Sequence, residues 1–170
     1  PARGRAGSPG DEVTIGFAGR IGSDKRLDVL LRAVAAMSNR SRVRVLLYGE
    51  GDDRPALAAL ATDLGIADRV EWRGLTQNPA RAYANMDMVV LCSPRESSSN
   101  MVLEAMAAGK AVVTTNVGGM PELVGGAQPA SGFNRHSEAC GICVSALNVW
   151  ALTAALDYLV ANDAFRVQLG

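Results

Sequence analysis

Two cations flank a glycine-containing segment, residues 19–25, that directly follows a short apolar run. Arg20 offers a planar fork of N–H donors that fits phosphate oxygens, and Lys25 offers a compact positive charge. Because they flank a turn, the two side chains could converge on one anion. Taken alone, basic residues in a loop are more often simply solvated. The segment also lacks the G-x-G-x-x-G spacing of a dinucleotide site, which disfavours a nicotinamide-dependent enzyme.

A second polar segment, residues 93–100, contains four serines and leads into an apolar pattern of helical spacing. Ser99 or Asn100 is suited to cap that helix. The N–H groups and the dipole at a helix N-terminus favour an anion. A diphosphate that lay between this helix start and the Arg20–Lys25 turn would be neutralised from two sides.

Two acids eight residues apart, Glu96 and Glu104, fall in the second loop and in the helix that follows it. Glu104 could accept hydrogen bonds from vicinal hydroxyls, as acidic residues do with ribose in Rossmann-type sites. Glu96 would lie nearer the far end of such a ligand. The alternatives are a carboxylate that complements the helix dipole for Glu104 and an exposed loop acid for Glu96. A third loop carries Gly118 and Gly119, which either admit a ligand or turn the chain.

The elements that must position these residues alternate between strand and helix patterns. Six apolar runs predict strands over residues 13–17, 43–48, 70–72, 88–92, 111–115 and 141–144. Helical patterns cover residues 27–37, 54–64, 79–85, 100–108 and 148–161, with one helical turn over 120–124. This alternation predicts an α/β fold with a doubly wound, parallel, six-stranded Rossmann-like sheet. Ligands bind such sheets outside the carboxyl ends of the strands, where the polar segments fall.

Composition narrows the class of protein. The 170 residues suffice for one domain, which we assign to residues 11–170, after a flexible linker or tail over 1–10. Seventeen basic residues balance seventeen acidic ones, which argues against a nucleic-acid binder. No apolar run reaches the roughly 18 residues of a spanning helix. The first residue is proline, so we expect this to be a piece of a longer protein.

Three cysteines do not indicate a disulfide scaffold, and a reducing compartment is the simpler expectation. Cys140 and Cys143 have zinc-like spacing, and His136 and Cys92 would complete four ligands. Zinc sites usually pair two such clusters, however, and this sequence has one. We favour the interpretation of Cys140 and Cys143 as small apolar residues at a strand, with no metal site.

Four motifs, taken in order, resemble the C-terminal half of a family 4 glycosyltransferase, a retaining, nucleotide-sugar-dependent enzyme of the GT-B fold. The motifs are Gly19-Arg20-x4-Lys25, Gly49-Glu-Gly51, Glu96-x7-Glu104-Ala-Met-Ala-Ala-Gly109 and Val117-Gly-Gly-Met-Pro-Glu-Leu-Val124. The resemblance covers Val13 to Val124 with good order and spacing, and continues more loosely to Gly170.

The resemblance implies a role for each matching residue. Arg20 and Lys25 hold the donor diphosphate, with Gly19 beside them. Glu104 binds the ribose hydroxyls, and Glu96 lies against the donor sugar, so that Glu96, Arg20 and Lys25 form the catalytic set. Gly74 to Thr76 border the base. The helix start that caps phosphate and sugar is the backbone of Ser99, Asn100, Met101 and Val102.

The sequence departs from the family at two places that bear on the site. The run Ser97-Ser98-Ser99 replaces an aromatic segment that often follows the first acid, which affects the shape of the sugar pocket more than donor binding. Arg26 stands where glycine is common. The loop predicted over residues 125–140, before the last strand, is longer than is usual in the family, and we assign no role to His136 within it.

The function implied by the resemblance is transfer of a sugar from a nucleoside diphosphate sugar, without an essential metal or other cofactor. UDP-, GDP- and ADP-linked donors all stay open, as do the sugar and the acceptor. The acceptor-binding N-terminal domain of the parent protein is expected upstream, so this piece alone should not transfer sugar. A cytoplasmic location is expected, with peripheral membrane association of the parent protein possible. The alternatives are a starch- or sugar-phosphate-synthase relative, a non-catalytic nucleotide-binding or scaffold module of the same fold, and another doubly wound interaction domain.

Overall fold

The six apolar runs form the strands of one sheet in the computed structural model, which describes residues 12–125 and 140–170. The strands are β1 (Val13–Ala18), β2 (Val43–Tyr48), β3 (Val70–Gly74), β4 (Met88–Leu91), β5 (Ala111–Thr115) and β6 (Gly141–Val144). Every neighbouring pair among them is parallel, and their order is β3-β2-β1-β4-β5-β6. The predicted doubly wound, Rossmann-like sheet is confirmed.

Helices occupy the segments between the strands. They are α1 (Leu27–Ala36), α2 (Arg54–Asp63), α3 (Pro79–Ala84), α4 (Asn100–Ala107), α5 (Met120–Leu123), α6 (Val149–Ala161) and α7 (Asp163–Leu169). The predicted helices are all present, with ends that differ by one or two residues. The short helix α7 was not predicted. Among the described residues, none of the helices is long and apolar enough to cross a bilayer.

The strand order reverses at β1. The chain runs outward from β1 through β2 to β3, and then returns to place β4 on the other side of β1. Ile15 of β1 consequently pairs with Val45 on one side and with Met88 on the other. The connection after β1 leads toward β2 and the connection after β4 leads toward β5, on the opposite side of the sheet. This divergence opens a crevice between the loops that follow β1 and β4. The Arg20–Lys25 turn and the serine-rich loop are those two loops.

The core is continuous across the sheet because its central strands are covered on both faces. All residues of β4 and β5 are buried, which explains why β4 is an unbroken apolar run and why β5 is apolar apart from Thr114 and Thr115. Helices α1 and α6 pack against each other. The carboxylate of Asp157 on α6 accepts hydrogen bonds from the backbone N–H groups of Ser38 and Asn39, just beyond the end of α1. A rigid sheet therefore supports the loops at its carboxyl end.

Candidate functional site

The basic turn after β1 is fixed to the loop after β2 by backbone hydrogen bonds. The N–H of Gly19 donates to the carbonyl of Tyr48, and the N–H of Ile21 donates to the carbonyl of Glu50, both at 2.9 Å. A Cβ atom on Gly49 would lie 1.8 Å from the Gly19 carbonyl oxygen, and Gly49 adopts φ +133°. The Gly49-Glu-Gly51 motif thus has a physical reason: only glycine lets the two loops approach this closely.

The two predicted cations converge on an anion supplied by the turn itself. The Asp24 carboxylate lies 2.6 Å from the Arg20 guanidinium and 3.7 Å from the Lys25 ammonium. The Arg20 side chain remains 66% exposed, and that of Lys25 is 24% exposed. The structure thus brings the two predicted cations together around Asp24. Sequence reasoning did not select Asp24, although its position between two cations in one short turn is a visible signal.

Lys25 also joins the β1 loop to the β4 loop. Its ammonium lies 3.0 Å from the Glu96 carboxylate, and the Glu96 side chain is only 15% exposed. The loop that carries Glu96 packs against the glycine pair after β5. A Cβ on Gly118, which has φ +52°, would lie 2.0 Å from the Glu96 carbonyl oxygen. The first acid and the second cation of the predicted set therefore form one ion pair across the crevice.

The start of α4 is capped as the sequence predicted. The Ser99 hydroxyl accepts a hydrogen bond from the N–H of Val102 at 3.5 Å, so Ser99 is the cap and Asn100 begins the helix. The cap occupies the Val102 N–H, whereas the N–H groups of Asn100 and Met101 precede any partner within the helix. The side chains of Met101 and Val102 are both buried, and the Met101 sulfur lies 3.3 Å from the Ala18 nitrogen. Any contact of Met101 and Val102 with a ligand is therefore limited to their backbone.

A cavity of about 440 Å³ opens at the carboxyl ends of β1 and β2. Four predicted residues line it: Gly19, Arg20, Thr76 and Glu104. The wall also contains Leu75, which lies within the predicted Gly74 to Thr76 border, and residues that sequence reasoning did not select, among them Tyr48, Pro79 and Tyr83. Lys25, Glu96 and the start of α4 lie outside this lining. Lys25 and Glu96 are connected to the cavity through ion pairs. Arg20 on the cavity wall contacts Asp24, Asp24 contacts Lys25, and Lys25 contacts Glu96.

The second acid has a partner that the sequence did not reveal. The Tyr83 hydroxyl on α3 donates a hydrogen bond to the Glu104 carboxylate on α4 at 2.8 Å. Tyr83 is 2% exposed, whereas Glu104 is exposed. Burial, the hydrogen bond to Glu104 and the Glu104 charge together raise the pKa of the Tyr83 phenol well above its usual value. The phenol therefore stays protonated and acts as a neutral donor.

Arg26, where the family commonly has glycine, adopts the left-handed conformation with φ 49° at the start of α1. Its guanidinium donates two hydrogen bonds, of 2.8 and 2.9 Å, to the Asp28 carboxylate. The hydrogen bonding from Arg26 lowers the pKa of Asp28. A left-handed backbone of this kind is strained for residues other than glycine.

The cysteines do not gather into a metal site within the part of the chain that the structure describes. No group of three or more His, Cys, Asp or Glu side chains there could hold a metal ion. Cys92 and Cys143 are buried, and burial raises the pKa of their thiols to about 12 and about 11. His136, the remaining residue of the zinc alternative, lies outside the described residues.

Residues 12–162 match the family described as Glycosyl transferases group 1. The match spans most of the chain. The chain therefore belongs to this family, as the motifs around Arg20, Lys25, Glu96 and Glu104 had suggested.

Relatives named as glycosyltransferases are about one-third identical to the chain over the aligned residues. It is 38% identical over 182 residues to a D-inositol 3-phosphate glycosyltransferase of Gordonia bronchialis, covering 99% of the chain and 37% of that protein. It is 30% identical over 167 residues to the lipopolysaccharide core biosynthesis glycosyltransferase LpsE of Rhizobium meliloti, covering 98% and 45%. The chain thus spans less than half the length of either relative.

Solved structures share the fold. Anabaena Alr3699/HepE in complex with UDP and glucose superimposes with a TM-score of 0.78 at 21% identity, over 94% of this chain and 41% of that one. The catalytic domain of cholesterol-α-glucosyltransferase from Helicobacter pylori superimposes with a TM-score of 0.73 at 21% identity, over 92% of both chains. The Rossmann-like sheet is therefore one on which known glycosyltransferases are built.

Proposed function

We propose that this chain is the donor-binding half of a retaining glycosyltransferase that uses a nucleoside diphosphate sugar. The observation that carries the proposal is the cavity at the carboxyl ends of β1 and β2, which both Arg20 and Glu104 line. A cation and a carboxylate that line one cavity suit the two polar parts of a nucleotide, its phosphates and its ribose. The UDP complex of the Anabaena structure supports the same class of ligand.

In this proposal the charged groups stabilise the leaving group. Departure of the nucleoside diphosphate places negative charge on its terminal phosphate oxygen, and donors fixed in advance around that oxygen lower the barrier. Arg20, Lys25 and the N–H groups at the start of α4 are the candidates. Because these groups supply positive charge and N–H donors, we propose that the reaction has no essential metal. Glu96, held 3.0 Å from Lys25, would face the donor sugar.

The acceptor would be bound elsewhere in the parent protein. The chain covers 37% and 45% of its two relatives, which leaves room in a protein of their length for a second domain. Holding donor and acceptor in one geometry supplies much of the rate enhancement of a transfer reaction. We therefore propose that this half binds the donor by itself but transfers sugar only together with an acceptor half.

Isothermal titration of the 170-residue chain with UDP, GDP and ADP, each with and without EDTA, tests the proposal. We expect saturable binding of at least one nucleoside diphosphate that EDTA does not abolish, and no sugar transfer by the chain alone. The absence of binding with all three nucleotides would contradict the proposal. Loss of binding in EDTA would contradict its metal-independent form, and robust transfer by the isolated chain would contradict the half-enzyme form.

A non-catalytic module of the same fold is the alternative from another functional class. Its support is the run Ser97-Ser98-Ser99 in place of the family's aromatic segment. The relatives reported above are named as glycosyltransferases, which does not favour this alternative. Transfer from a UDP-, GDP- or ADP-sugar by the parent protein, measured as release of the nucleoside diphosphate in the presence of candidate acceptors, would separate the two.

A further inference from the structure

We propose that Tyr83 is a positioning residue that holds the Glu104 carboxylate for a ribose diol and so makes the site select ribonucleotides over deoxyribonucleotides. The inference rests on the proposed function, because it assumes that Glu104 receives the ribose. It goes beyond that function by assigning a role to a residue on a different helix and by naming a substrate feature that this residue controls.

The geometry joins a buried phenol to an exposed acid at the cavity wall. Tyr83 on α3 is 2% exposed, lines the cavity and donates its hydroxyl hydrogen bond to one carboxylate oxygen of Glu104 at 2.8 Å. Glu104 lies on α4, is exposed and lines the same cavity. The contact depends on the packing of α3 against α4, which the two helices maintain through their own contacts.

An exposed glutamate side chain samples several rotamers, and the entropic cost of restricting it is larger than for most other amino acids. The Tyr83 ring is fixed in the core, so its hydroxyl is a stationary point to which one Glu104 oxygen can be attached. The other oxygen of Glu104 is then held at the cavity before a ligand arrives. Preorganisation of this kind improves affinity because the ordering cost is met before binding.

The neutral charge of Tyr83 is as important for Glu104 as the position of its hydroxyl. Tyr83 stays protonated because burial and the neighbouring carboxylate raise the pKa of its phenol. A neutral donor leaves the full negative charge on Glu104, and hydrogen bonds from neutral hydroxyls to a charged acceptor are stronger than those to a neutral one. A cationic partner would neutralise that charge. The Tyr83–Glu104 pair therefore suits a diol better than an ion pair would.

The consequence is a difference between ligands that a purely structural tyrosine would not produce. UDP carries both ribose hydroxyls, whereas 2′-deoxy-UDP lacks one of the two groups that Glu104 would accept from. The diphosphate and base are unchanged. If Tyr83 acts through Glu104, its hydroxyl must contribute to the affinity for UDP and much less to the affinity for 2′-deoxy-UDP.

The experiment is titration of the 170-residue chain and its Tyr83→Phe variant with UDP and with 2′-deoxy-UDP, or with the GDP or ADP pair if one of those is the nucleotide bound. Phenylalanine keeps the ring packing. Loss of the hydroxyl leaves no buried acceptor unpaired, because Glu104 is exposed, so the variant should fold. Tyr158→Phe, a tyrosine remote from the cavity, is the matched control. Glu104→Ala and the double variant complete a double-mutant cycle.

We expect Tyr83→Phe to weaken binding of the ribonucleotide about fivefold to tenfold, while binding of the deoxyribonucleotide changes less than about twofold. In the Glu104→Ala background the effect of Tyr83→Phe should disappear. Equal weakening of both nucleotides, additive effects in the cycle, or a Tyr83→Phe variant that no longer folds would each overturn the proposal. Absence of nucleotide binding by the unaltered chain would instead overturn the proposed function itself, and this inference with it.

Discussion

The two acids of the candidate site are held by partners of opposite character. Glu96, in the loop after β4, is 15% exposed and forms a 3.0 Å ion pair with the cation Lys25. Glu104, eight residues later on α4, is exposed and accepts a 2.8 Å hydrogen bond from the neutral phenol of Tyr83. Both carboxylates sit at the carboxyl end of the same sheet, yet only Glu96 has a cation among its described partners.

In the proposed function, this difference matches the two halves of the site to different parts of a ligand. The region around Lys25 contains two cations and two acids in mutual contact, which suits rearrangement around a multiply charged diphosphate. The region around Glu104 keeps an uncompensated carboxylate, which suits neutral hydroxyls. Substitutions in the first region should therefore give effects that depend on salt, whereas those in the second should depend on the ribose hydroxyls.

The largest effect is expected from Lys25→Ala. The change would remove a proposed phosphate ligand and leave the mostly buried Glu96 without its cation beside the anionic ligand. We expect the affinity for a nucleoside diphosphate to fall by at least about tenfold, measured by isothermal titration. Lys110→Ala is the matched control, because Lys110 lies at the opposite, amino end of β5 and outside the cavity lining. Unchanged affinity in the Lys25 variant would remove Lys25 from the site.

A smaller effect of opposite sign is expected from Asp24→Asn. Asp24 contacts both cations and in the proposed site would compete with a diphosphate for them, so removing its charge should strengthen binding. Because exposed ion pairs contribute roughly 0–1 kcal/mol, we expect tightening of no more than about fivefold. The gain should shrink when the titration is repeated at high salt. Weaker binding in this variant would mean that Asp24 orders the turn rather than competing with the ligand.

The smallest effect is expected from Arg26→Gly, which should alter stability rather than binding. Glycine relieves a left-handed arginine, worth about 1 kcal/mol, but loses the ion pair with Asp28, worth roughly 0–1 kcal/mol. The free energy of unfolding at pH 7, measured with urea, should therefore change by no more than about 1 kcal/mol. A decrease of several kcal/mol would show that the Arg26–Asp28 pair dominates this turn.

The same variant has a defined pH dependence. The folded-state pKa of Asp28 is lowered below the ordinary value of 3.8, so the stabilisation from its ion pair is present above that value. It is lost as the pH falls through the lowered pKa of the folded state. Relative to the unaltered chain, Arg26→Gly should therefore be more stable at about pH 3 than at pH 7. A stability difference that is independent of pH would contradict the assignment to Asp28.

Sequence reasoning predicted the sheet well because its central strands are buried on both faces. Val89 and Val90, for example, belong to an unbroken apolar run that is typical of such a strand. The short helix α7 was missed because a seven-residue segment has little periodicity of its own and depends on tertiary packing. Helix ends were predicted well where a cap residue marks them, as Ser99 does for α4.

The site was predicted only as far as local motifs extend. Arg20, Lys25, Glu96 and Glu104 were selected because each lies in a loop or helix start with a recognisable spacing. The contact of Tyr83 with Glu104 joins two helices across 21 residues, and no spacing within either helix encodes it. The tyrosine by itself is typical of an ordinary core residue. Its role becomes visible only when the packing of α3 against α4 is known.

We propose that a diphosphate lies between the Arg20–Lys25 turn and the start of α4, and that the ribose hydroxyls donate hydrogen bonds to Glu104. A crystal structure of this chain with the bound nucleoside diphosphate tests it most directly. We predict phosphate oxygens within hydrogen-bond distance of Arg20 or Lys25 and ribose hydroxyls within hydrogen-bond distance of Glu104. A nucleotide seated away from this cavity, or one whose ribose makes no contact with Glu104, would contradict the account.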